Sequence, residues 1–201
     1  MKRSVWVIAL LAAAACGGGD NVVVRASLED GGRQPIGDLP VRLLPYDRQG
    51  ILDSLGTENE DPEPKFAPGT LARLRSLQAA EAAVKARGDT AVGRIQAQRR
   101  ALLLEVDSIR KAQEKWLEKM KDDFEKAVQD RVGRSGLMEK ADTTDAAGRA
   151  SFEAEPGKWW AVARYVLPDE VLEWQVPVTA REGDSTVVRL TRKRAREEPF
   201  F

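Results

Sequence analysis

Residues 142–178 read DTTDAAGRASFEAEPGKWWAVARYVLPDEVLEWQVPV. Three turn signals divide the stretch: Asp145-Ala146-Ala147-Gly148, Pro156-Gly157 and Pro168-Asp169. Between them lie Arg149 to Glu155, Lys158 to Leu167 and Val171 to Val178, short runs of β-branched and aromatic residues. In the last run Leu172, Trp174, Val176 and Val178 share one face, with Glu173 and Gln175 opposite. The pattern predicts three successive strands in one sheet with a single apolar face, which cannot stand alone in water. Covering strands must come from elsewhere. Ser185 to Thr191 supplies one, and Asn21 to Glu29 and Leu39 to Tyr46 supply the others. The expected fold is therefore a mainly β sandwich drawn from residues 21–55 and 137–191, and the chain between Asp47 and Ala141 is an excursion from it.

The chain of 201 residues has no histidine. That removes Ser-His and Cys-His nucleophile pairs, His-ligated zinc and a His general base, which covers most common hydrolase designs. With 32 basic and 32 acidic residues, the molecule as a whole is not steered toward nucleic acid. No catalytic residues, metal site or cofactor are expected, and no small-molecule ligand is legible.

Lys2 and Arg3 precede an apolar run from Val5 to Ala15, the layout of a secretory signal over residues 1–15. A helix of that length spans roughly 16 Å, about half the hydrocarbon core, so the run is read as a cleaved signal rather than an anchor. The one cysteine, Cys16, follows directly and has no partner for an internal disulfide.

Ala13-Ala14-Ala15-Cys16 followed by Gly17-Gly18-Gly19 resembles the lipobox of bacterial lipoproteins. The resemblance implies that Cys16 becomes a diacylated or triacylated first residue, with residues 16–20 as the linker above the lipid. Several acyl chains hold a protein to a bilayer far better than one. Ala13 stands where leucine is usual, and Ala13-x-Ala15 also suits ordinary signal cleavage. Gly17 after the cysteine implies sorting to the periplasmic face of the outer membrane.

Downstream, Val22, Val24, Ala26 and Leu28 alternate with Val23, Arg25 and Ser27 as in a half-buried strand. Gly32-x-x-Pro35-Ile36-Gly37-x-x-x-Val41-x-Leu43 follows, and later come Thr143-Thr144-Asp145-x-x-Gly148-x-x-x-Phe152 and Pro156-Gly157-Lys158-Trp159-Trp160-Ala161-Val162-Ala163. Together these resemble the carboxypeptidase-regulatory-like domain, a prealbumin-type (transthyretin-like) Greek-key β-sandwich. The resemblance covers about half the chain and implies an accessory module without catalysis. The metal ligands of the enzyme that gives the domain its name include histidine and are absent here.

The excursion opens with an acidic, proline-rich linker over residues 56–69, expected to be extended. A helical insertion over 70–136 follows. Thr70 is placed as a cap, Leu71, Leu74, Leu77 and Val84 recur at helical spacing, and Gly88 supplies a stop. A second helix, capped by Asp89 or Thr90, continues to about Val132. Its seam of Leu102, Val106, Ile109, Gln113, Trp116, Met120 and Phe124 suits coiled-coil-like packing.

The linker and short helix are expected to run antiparallel to this long helix, the short helix covering its seam only to about Val106. Ile109, Trp116, Met120 and Phe124 are the candidate interaction residues, for a protein partner or for self-association. Their alternative is cover by the sandwich or by Phe66. Arg87-Gly88-Asp89 marks the hairpin tip, and residues 192–201 are a charged tail. The function expected is a non-catalytic, lipid-anchored envelope lipoprotein with a helical arm. The rival is a periplasmic adaptor of an export system.

Overall fold

Two long strands organise the protein, which a computed structural model describes over residues 22–200. Asn21, Cys16 and residues 1–15, where a signal is expected, lie outside the described residues. In chain order the elements are β1 (Val22–Ser27), β2 (Pro40–Leu44), α1 (Arg48–Glu58), α2 (Thr70–Ala86), α3 (Val92–Ser135), β3 (Lys140–Thr143), β4 (Arg149–Phe152), β5 (Gly157–Val166), β6 (Glu170–Ala180), β7 (Thr186–Thr191) and β8 (Arg196–Pro199). The long pair β5 and β6 forms an antiparallel hairpin, in register from Gly157 opposite Ala180 to Val166 opposite Val171.

One sheet has the order β3-β2-β5-β6-β8 and is antiparallel throughout. The other is β4-β1-β7, with β1 antiparallel to β4 and parallel to β7. The strands before residue 47 are thus woven with those after residue 139 in both sheets. Alternate residues of each sheet meet in one apolar core, including Val22, Val24, Val41, Leu43, Phe152, Trp159, Leu172, Trp174, Val188 and Leu190. The two buried indoles keep their N–H groups satisfied: Trp159 donates to the Glu155 carbonyl at 2.9 Å and Trp174 to the Thr191 carbonyl at 2.8 Å. Thr144 ties the sheets at a corner, its hydroxyl accepting from Leu39 N at 2.9 Å and donating to Ile36 O at 2.7 Å.

The three successive strands do not share a sheet. β4 pairs with β1, whereas β5 and β6 lie opposite, so Glu153 to Pro156 carries the chain across the core. A Pro-Gly pair favours turn types whose twist splays flanking strands instead of closing a tight hairpin. Gly148 fixes the preceding turn with φ +72, and a Cβ there would lie 2.3 Å from the Ala26 carbonyl oxygen. Only glycine fits that close approach.

α1 is absent from the sequence expectation, which treats 48–55 as the end of the sandwich strand region and 56–69 as linker. Asp47 caps it by accepting from Gly50 N at 2.8 Å. Two internal glycines weaken its propensity, so its stability comes from burying Ile51, Leu52 and Leu55. The extended segment after it lies along α3 instead of hanging free. Trp116 donates its indole N–H to the Asp61 carbonyl at 2.7 Å, and Gln113 donates to the Pro64 carbonyl at 2.9 Å. Phe66 packs beside Leu74, Leu102 and Val106. Thr70 is not the cap of α2: Gly69 holds that position, and the Thr70 hydroxyl donates to the Ala67 carbonyl at 2.8 Å.

The result is three layers: the three-stranded sheet, the five-stranded sheet, and a helical layer on the latter's outer face, where Leu44 and Val162 meet α1 and α3. Register fixes which end is which. Ser27 lies opposite Thr191 at the end of β1, and the next residue, Arg192, reaches Glu170 at the start of β6. Val22 therefore stands at the other end. α3 crosses the Glu170 end near Arg110, whose guanidinium donates to the Pro199 carbonyl at 2.9 Å. The α3 stretch from Val92 to Ile109, about 27 Å long, continues past this contact with α2 alongside as a hairpin, whose base stays against β8.

The C-terminal segment is not a solvated tail. β8 adds to the sheet edge beside β6, with Glu173 opposite Arg196. The charges that suggested a free tail are those the sheet uses: Arg192 bonds Glu170 at 2.6 Å and Lys193 bonds Asp30 at 2.5 Å.

Candidate functional site

The residues singled out on the long helix do not form a free stripe. Trp116 is 4 % exposed and Met120 1 %. Both lie under Leu44, Tyr46, Ile51, Leu52 and Leu55, with Phe124, Ala127, Val128 and Val132 at the margin. Phe124 is half-buried and carries the Arg48 guanidinium 5.8 Å from its ring centroid. Ile109 is half-buried. The covering element is α1, not a partner, because a capped helix after Asp47 brings three apolar side chains onto the seam. The cover foreseen as an alternative comes in part from the sandwich, through Leu44, Tyr46 and Val162, with α1 added to it; Phe66 covers only the upper part, near Leu102.

Trp159 and Trp174 are core residues and Trp160, on the opposite face of β5, is half-buried, so the three rings do not share a surface. Arg87-Gly88-Asp89 forms the turn between α2 and α3, with Gly88 at φ +65 and the Asp89 carboxylate accepting from Ala91 N at 2.9 Å. Among the described residues no helix is long and apolar enough to cross a membrane. Nor does any group of three or more Asp, Glu or Cys among them gather as a metal site.

Two surfaces missed by sequence reading stand out. The first is a cleft of about 580 Å³ on the outer face of the five-stranded sheet, beside the start of α1. Arg42, Arg48, Arg164, Arg196, Asp47 and Glu173 line it. Its charges are mostly paired with one another or with neighbours. Arg164 meets Glu173 at 3.3 Å, Arg42 meets Glu139 at 2.6 Å, and Gln175 donates to Asp47 at 2.6 Å while accepting from Gln49 N at 3.1 Å. The Glu139 hydrogen bond raises the Arg42 pKa above its ordinary value. Burial beside the same cleft raises that of Tyr46. The cleft presents donors and acceptors but no activated nucleophile and base.

The second is the hairpin. Leu74, Leu102 and Val106 join its helices near the base. Nearer the tip Glu81, 6 % exposed, receives Lys85 at 2.6 Å, Gln96 at 2.9 Å and Arg99 at 3.0 Å. The Lys85 and Gln96 hydrogen bonds lower its pKa from 4.5 to about 2. At the base, the buried Glu170 carboxylate binds both Arg75 of α2 and Arg192, and Glu197 adds a second carboxylate to the same two guanidinia. A shallow groove of about 440 Å³ runs between the helices past Leu77, Ala101 and Leu102. The signal available in the sequence was charge: six arginines and one lysine against two acids in residues 70–101.

No family model, characterised protein or solved structure matches this chain.

Proposed function

We propose that this chain is a non-catalytic, lipid-anchored lipoprotein of the cell envelope, held at the periplasmic face of the outer membrane through Cys16. A prealbumin-like sandwich of the carboxypeptidase-regulatory-like kind is its base, and the helical arm engages a protein partner at a fixed distance from it. The Ala13-Ala14-Ala15-Cys16 sequence supports the anchor. Two sheets around one core support the sandwich, and a chain without histidine supports a role in binding and spacing rather than hydrolysis.

The observation that carries the reading is the continuity of α3. One 44-residue helix is at once part of the third layer of the base and half of the projecting hairpin. An arm built this way cannot swing on a loop, and it holds its tip at a set height. Two measurements test the proposal. Mass spectrometry of the mature N-terminus should find acyl chains on Cys16, and an unmodified cysteine ends the anchor. Crosslinking in intact envelopes should capture a partner that is lost when Val84 to Arg94 is replaced by a short turn. If the partner is a membrane pump component, the export-adaptor reading takes its place.

A further inference from the structure

The hairpin is strongly unbalanced in charge. Residues 70–101 carry seven basic and two acidic side chains, a net +5, in a chain whose formal charge is zero, so the remainder carries −5. Both acids are already engaged, Glu81 by Lys85, Gln96 and Arg99, and Asp89 in capping the turn. Arg73, Arg87, Arg94 and Arg100 are exposed, and their side chains make no ion pair or hydrogen bond among the described residues. The basic run at the C-terminus differs: Arg192 and Lys193 are bound to Glu170 and Asp30, and Arg194 to the Arg189 carbonyl.

We infer that the tip of this hairpin docks on a phosphate-bearing anionic lipid surface. Guanidinium groups bind phosphate oxygens through paired donors, and they are less strongly hydrated than ammonium groups. Arg87 and Arg94 stand at the turn end of the hairpin, Arg100 lies further down α3 and Arg73 near the base of α2, so the exposed cations run along the hairpin to its end. Residues 70–101 contain no aromatic side chain to stack on bases. None of the large exposed apolar residues, such as Leu104 or Met138, falls within them, so what the tip offers to solvent is charge.

Direction gives the inference its consequence. The described chain starts at Val22, at the end of the sheets opposite Glu170, while the hairpin projects past the Glu170 end. β1 brings the chain from Val22 to that end over six residues, about 20 Å, and the part of α3 before Arg110 is about 27 Å long. A protein held by Cys16 therefore turns its arginines away from the end at which the described chain starts, toward a second anionic surface, and acts as a bridge. This last step rests on the anchored reading; docking by the tip does not.

The test uses the mature chain, residues 16–201, with Cys16→Ser, so that neither an acyl chain nor the apolar run Val5 to Ala15 contributes. Cosedimentation with vesicles of phosphatidylglycerol and phosphatidylcholine is compared with vesicles of phosphatidylcholine alone, at low and high salt. Binding is expected only to the anionic vesicles, weakening with salt. Each arginine removed from the tip should cost about fivefold in affinity, so Arg87→Ala, Arg94→Ala and Arg100→Ala together should cost about a hundredfold. Circular dichroism checks that the triple variant keeps its helices, which it should because all three side chains are exposed. Equal binding by the triple variant, absence of binding to anionic vesicles at low salt, or tighter binding to duplex DNA than to the vesicles would each overturn the inference. An unmodified Cys16 in the native protein would remove the bridge and leave these vesicle results unchanged.

Discussion

The Trp116 indole N–H donates to the Asp61 carbonyl at 2.7 Å, joining the long helix to the extended segment that follows α1. The ring also lies within 3.5 Å of where a Cβ on Gly56 would sit. One side chain thus holds the seam of α3, the end of α1 and the linker together.

Trp116→Ala should therefore destabilise the fold by about 3–5 kcal/mol, through lost burial plus the cavity left behind. Trp116→Phe should cost about 1–2 kcal/mol, keeping most of the packing but leaving the Asp61 carbonyl without its donor. Urea unfolding of both variants measures this. A Trp116→Phe variant as stable as the unsubstituted protein would mean that the hydrogen bond contributes nothing.

Glu170→Ala leaves the Arg75 and Arg192 guanidinia facing an emptied site at the base of the arm. The carboxylate is 4 % exposed, but its partners are 42 % and 36 % exposed and can turn to water. The expected loss is therefore about 2 kcal/mol, below the range for breaking a fully buried pair. Hydrogen exchange should quicken in the first turns of α2 more than in β6. A uniform change across the protein would contradict the local role.

Acid should loosen the hairpin before it unfolds the base. Glu81 has its pKa lowered from 4.5 to about 2 by the hydrogen bonds from Lys85 and Gln96. A carboxyl group depressed in the folded state contributes its stabilisation fully above its unfolded value. That contribution is lost as pH falls from about 4.5 through about 2. Amide exchange around Val84 and Ile95, followed between pH 5 and pH 2, should show this loss. In Glu81→Gln the protection, taken relative to the intrinsic exchange rate at each pH, should already be low at pH 5 and change little on acidification.

Two glycines with similar backbone angles should respond differently to alanine. Gly88→Ala at φ +65 meets nothing within 4 Å and should cost about 1 kcal/mol for the left-handed conformation alone. Gly148→Ala at φ +72 drives a Cβ to 2.3 Å from the Ala26 carbonyl oxygen, which itself accepts from Ile36 N. It should cost about 3 kcal/mol or more, because backbone must move. Thermal melts of the two variants give the comparison directly.

Much of the architecture was written locally. Strong turn chemistry at Asp145 to Gly148 and alternation through Leu172 to Val178 located the strands, and helical spacing with Gly88 and Gly136 bounded the two helices of the insertion. Local signals of this kind need only neighbours in sequence. α1 escaped notice because its glycines and mixed charges give little propensity; its apolar face has meaning only once Trp116 and Met120 are there to meet it. β8 escaped for the same reason: Arg196 to Pro199 has no strand pattern of its own and pairs because β6 presents an open edge.

The sequence by itself determined that this chain is a sandwich interrupted by a helical excursion, and that a reactive imidazole plays no part in it. Tertiary structure alone decided three things. β4 and β5 lie in opposite sheets, the helical seam is covered by its own chain, and the free arginines are those of the hairpin and not of the C-terminal run. Propensity and periodicity say which face of an element is apolar. Which distant segment covers that face, and which charges find partners, depends on packing between residues up to a hundred positions apart, and only the assembled fold contains that information.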